Sequence, residues 1–73
     1  MSADNLETEI TILMKRIGEI QIQINTIADH EAIRALAGLP TDSALNALKS
    51  QLIVRSEDLL DKAQQLHNQI VGD

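Results

Sequence analysis

The chain has no cysteine, so neither a disulfide nor a thiolate metal site can hold it together. It has no Phe, Tyr or Trp either, which removes base-stacking platforms, aromatic cages and interfacial aromatic belts. Proline occurs once and glycine three times, with no Gly-rich run to cradle a phosphate. No apolar stretch approaches the ~20 residues of a membrane span, and no signal-peptide core follows Met1. The expectation is a soluble cytoplasmic protein with no membrane partner, a secretion route that needs no cleaved signal being left open. Six basic residues lie scattered among eleven acidic ones, for a net charge of -5. Nucleic-acid affinity comes from clustered Lys and Arg, so no nucleic-acid partner is expected. A DNA mimic would want a denser acidic face.

What is present is Ile, Leu, Ala and Val, which supply almost all of a 44% hydrophobic content. Leu6, Ile10, Leu13, Ile17, Ile20, Ile24 and Ile27 fall at spacings of 4, 3, 4, 3, 4 and 3. That is a heptad seam, the pattern of a helix whose one stripe another helix must cover. Ile20 to Ile24 also alternates like a half-buried strand. That alternation spans five residues and the heptad twenty-two, so a helix is expected. Its start is expected near Ser2 or Asp4, with Asp4 and Glu7 at capping-box spacing. Past Ile27 a strict repeat would put Glu31 and Arg34 on the seam. The apolar positions suggest instead a drift toward Ala28, Ala32 and Ala35, where small side chains would let the backbones approach.

The segment Ala37-Gly38-Leu39-Pro40-Thr41-Asp42 punctuates the chain. Gly38 suits the left-handed position after a helix, Pro40 blocks continuation, and Thr41 or Asp42 can cap a new helix. In that second helix Leu45, Leu52, Leu59 and Leu66 recur every seven residues. Lys49, Ser56, Ala63 and Ile70 are its weaker companions, and Leu48, Ile53 and Leu60 form a shoulder. The fold expected is all-α, one domain over residues 1–73. A helix over about residues 4–37, a turn at 38–41 and a helix over about 42–71 make an antiparallel, coiled-coil-like hairpin. Positions whose numbers sum to about 80 then face each other, which pairs Glu31 with Lys49.

A chain of 73 residues buries a core poorly and usually needs oligomerisation, metal or disulfides. Ile12, Met14, Ile22, Ile33, Ile53, Val54 and Leu60 lie off the narrow seams. Two hairpins packed as a four-helix bundle, or a higher helical oligomer, would cover many of them. The expected self-association and partner interface therefore comprises Ile10, Leu13, Ile17, Ile20, Ile24, Ile27, Leu45, Leu52, Leu59 and Leu66, with Ile12, Ile22, Ile33, Ile53 and Leu60 beside them.

No catalytic, cofactor or metal site can be assembled from these residues. His30-Glu31-Ala32-Ile33-Arg34 begins like the zinc-protease motif but has Arg34 where the second His belongs. His67 falls at the other end of the hairpin. Glu57, Asp58 and Asp61 form an acidic patch on a helix, with Lys62 four residues after Asp58. Catalytic carboxylates need a sheltered site that separates their pKa values, which such a face does not offer. Gly18 inside the first helix either marks the approach of a partner backbone or is a plain cost in helix stability.

Leu36 to Leu52, LAGLPTDSALNALKSQL, resembles the turn region of type III secretion needle subunits. Those also place a Pro and an Asp or Ser between two helices, before an Ala/Leu-rich start. The likeness covers about a quarter of the chain. The aromatic residues near the start of needle subunits and their Asn-rich second helix have no counterpart here.

The leading expectation is a non-enzymatic interaction protein, a small adaptor, co-chaperone or inhibitor, working as a homo-oligomer. Ile12, Ile22, Ile33, Ile53 and Val54 would receive an amphipathic partner helix. One alternative is a structural subunit of a filament, secretion or phage particle. Another is a small-ligand or nucleotide-sequestering oligomer in which Arg16, Arg34, Lys49 and Arg55 meet phosphate groups.

Overall fold

The computed structural model describes residues 3–72, with side chains from residue 5 onward. Two helices, α1 (Ala3–Leu36) and α2 (Ser43–Val71), pack against each other as an antiparallel hairpin. Ile20 to Ile24 is helical, so the heptad prevails over the short alternation. The molecule is a rod with extents of 55 × 15 × 14 Å. Thirty-four residues of helix at a rise of 1.5 Å each reach about 51 Å, so α1 sets the length. The radius of gyration is 16.7 Å, against about 11 Å for a compact domain of this size.

The connection is tight because its chemistry is local. Gly38 takes φ +72°, a conformation that costs little only without a Cβ. The Leu39 N–H then donates to the Arg34 carbonyl at 2.9 Å, and the Gly38 N–H to the Ala35 carbonyl at 3.1 Å. This pair of bonds closes the end of α1 as a Schellman motif. Asp42, in extended conformation, caps α2. Its Oδ1 accepts from the Ala44 N–H at 2.9 Å and the Leu45 N–H at 3.2 Å. At the other end α1 already includes Ala3, so Asp4 lies within the helix and not ahead of it. The capping contacts expected of Ser2 and Asp4 fall outside the described residues.

Among the described residues, those withdrawn from solvent are all on two rows. On α1 the row is Leu6, Ile10, Leu13, Ile17, Ile20, Ile24, Ile27, Glu31 and Arg34. On α2 it is Leu45, Lys49, Leu52, Ser56, Leu59, Ala63, Leu66 and Ile70, preceded at the same spacing by the capping Asp42. Both rows keep 3-and-4 spacing throughout. The expected drift toward Ala28, Ala32 and Ala35 does not occur. Those three are exposed, while Glu31 and Arg34 are half-buried. The repeat survives its loss of apolar residues because the polar ones find partners across the seam and in the turn. Lys49, Ser56, Ala63 and Ile70 are likewise full members of their row, and Ser56 and Ala63 are its two buried residues.

The core is thin. Leu13, Ile20, Ile27 and Ala63 are its buried apolar residues, and no described side chain falls below 2% exposure. Large β-branched residues dominate the α1 row, and small ones sit at Ser56 and Ala63 on α2. In the register that joins Glu31 to Lys49, these small residues lie opposite Ile24 and Ile17. The volumes are complementary, as close packing demands.

Candidate functional site

Glu31 and Lys49 meet as their numbers require: Lys49 Nζ donates to Glu31 Oε1 at 2.5 Å. Both side chains are about three-quarters withdrawn from water, at 27% and 23% exposure for Lys49 and Glu31. This is the one ion pair among the described residues, and it joins the two helices beside the turn. Asp58 and Lys62 form no such bridge, so their acidic stretch stays a solvated helix face.

Arg34 has a role that its sequence position did not reveal. Its Nε and Nη2 both donate to the Pro40 carbonyl, at 3.2 and 2.9 Å. The planar guanidinium suits this two-pronged contact. The side chain thus ties the last turn of α1 to the connection, where a carbonyl beside a proline has no ladder to join. Arg34 and Lys49, two of the candidate anion contacts, thus each hold a protein oxygen. Arg16 and Arg55 differ: among the described residues neither has a hydrogen-bonding or ionic partner. They line one open groove of about 350 Å3 with Glu19, Gln23, Ile20 and Leu52. Glu19 puts a carboxylate in the same groove, so it is mixed in charge.

The expected interface residues divide cleanly. Leu13, Ile20 and Ile27 are buried, while Ile10, Ile17, Ile24, Leu45, Leu52, Leu59 and Leu66 are half-buried. All ten serve the contact between α1 and α2. Ile12, Ile22, Ile33, Ile53 and Leu60 are exposed, as are Met14, Leu48 and Val54. Ile22 at 66%, Ile33 at 63% and Leu36 at 90% exposure stand out on α1, and Ile22 also borders a groove with Leu48 and Leu52 of α2. Leu36, the most exposed of them, follows Ile33 by three residues, about one helical turn. Met14 and Leu60 lie together on a different side, around a groove shared with His67 and Ala63. His30 lies near the turn, at the opposite end of the rod from His67.

Among the described residues, no helix is long and apolar enough to cross a membrane, and no group of His, Cys, Asp or Glu could hold a metal. Comparisons with protein-family models, with curated proteins and with solved structures find no match for this chain.

Proposed function

We propose that this chain is a non-enzymatic interaction protein, an adaptor, co-chaperone or inhibitor, that acts as a homo-oligomer and receives an amphipathic partner helix on its outer surface. One observation carries this reading. The seam uses every inner position, yet eleven large apolar side chains remain exposed. Single exposed apolar residues are ordinary on protein surfaces. A rod whose core has no fully enclosed side chain, with apolar residues on more than one outer face, is what an assembly component needs.

The surface area points the same way. The hairpin leaves 5441 Å2 accessible, against about 4,450 Å2 for a globular monomer of its mass. The Ile22, Ile33 and Leu36 stripe has the spacing of anchor residues for a helix laid alongside α1.

The test compares the tagged protein with an Ile22→Lys/Ile33→Lys double variant. A protein that the wild type retains, that the variant loses, and that rebinds directly as a purified component supports the reading. Equal retention by both contradicts it. A thermal-shift series against nucleotides should show no response, because an adaptor gains no stability from them; a rise in Tm with concentration would favour a ligand-binding oligomer.

A structural subunit is the second reading, and one observation favours it. Apolar residues on two separate faces of one rod permit contacts that do not close. Mass that grows without plateau as concentration rises would select it over the adaptor.

A further inference from the structure

We propose that two copies of the chain join through one specific face of the hairpin, the side carrying Met14, Ile53 and Leu60, to form an antiparallel four-helix bundle. This rests on the homo-oligomer reading above and adds which surface makes the contact.

The seam gives each helix two flanks. Met14 and Leu60 lie on one flank, and they line a single groove with His67. Arg16, Gln23 and Arg55 lie on the other, and they line a different groove. The two flanks differ sharply in charge. Carrying each flank one row outward at heptad spacing, the first holds Glu7 and Glu57 as its charged residues among those described. The second holds Glu9, Arg16, Glu19, Arg55, Asp58 and Lys62, interleaved with Ile12, Ile33 and Leu48. The first flank is otherwise amides, hydroxyls, alanines, Gly18, His67 and the apolar side chains of Met14, Ile53, Leu60 and Val71. Ala28, Ala32 and Ala35, which the seam does not use, all fall on it.

This difference decides which flank can meet its own copy. A chain of net charge -5 repels its copies at long range, and the contact that takes fewest charges out of water costs least to close. Closing the second flank would take Arg16, Arg55 and their acidic neighbours out of water, and desolvation of that kind can exceed the attraction it gains. Closing the first flank buries apolar surface and leaves the charged flank wet. The size also fits. One side of the rod, 55 Å long and 15 Å wide, has room for the roughly 800 Å2 that a stable interface takes from each partner. The Ile22, Ile33 and Leu36 stripe stays outside this contact and remains open to a different protein.

The absence of cysteine permits a test without background. Leu60→Cys, Ile22→Cys and Lys62→Cys each place one thiol, on the neutral flank, the outer stripe and the charged flank. Their alkylation rates are measured from dilute to concentrated protein, beside sedimentation equilibrium of the wild type. The expected result is a wild-type dimer of 16.0 kDa, twice 8.0 kDa. The thiol of Leu60→Cys should slow by about 10-fold or more as dimer forms, since an interface core excludes solvent, while the other two keep their rates. A dimer in which Ile22→Cys or Lys62→Cys is protected and Leu60→Cys is not overturns the assigned face but leaves the homo-oligomer standing. A wild-type mass of 8.0 kDa at every concentration overturns both.

Discussion

Single residues at the connection carry more of the fold than their number suggests. Gly38 is held at φ +72° with open space where a Cβ would go, so a substitution there strains the backbone without a clash. Gly38→Ala should destabilise the hairpin by about 1–2 kcal/mol, read as a lower Tm with unchanged helix content at low temperature. Asp42→Ala removes the acceptor of two N–H groups and should cost about 1 kcal/mol, measured by urea unfolding followed at 222 nm. Gly18 gives the opposite sign. Nothing lies within 4 Å of a Cβ built there, so within the hairpin no neighbour requires a glycine. Gly18→Ala should stabilise by about 1 kcal/mol through helix propensity alone; a lower Tm would mean that a second chain approaches at this point.

At the scale of the helices, much of the architecture was legible in the sequence. The 3-and-4 spacing of Leu6 to Ile27 and the order Gly38, Pro40, Asp42 each have one local meaning, and the structure takes it. The end of the seam was misread for a physical reason. Apolar pattern alone rejects Glu31 and Arg34, whereas an inner position accepts a charged side chain whose partner is in reach. The pairing of Glu31 with Lys49 was itself readable, and it already required both residues to face inward. The clasp of Arg34 on the Pro40 carbonyl left no trace in spacing, because it depends on the path of the turn. Exchange of the pair as Glu31→Lys with Lys49→Glu should keep the fold, while either change alone sets like charges together and costs about 1 kcal/mol or more. A double-mutant cycle on Tm or urea midpoint reads this. Equal stability of all four proteins would show that the bridge does not fix register.

The whole molecule is a thin rod whose interior is a single layer. The outer faces were legible only as apolar residues left over. Which of them group together, and how charge divides between the flanks, depended on the register of two helices. On the reading proposed above, the hairpin is complete as a fold but incomplete as an assembly. Sedimentation equilibrium of the wild-type chain at about 10 μM, a concentration at which even a micromolar interface is largely occupied, tests it most directly. A helical species of 16.0 kDa, twice the 8.0 kDa chain, is the expected result. A helical, cooperatively unfolding species of 8.0 kDa under the same conditions would contradict it.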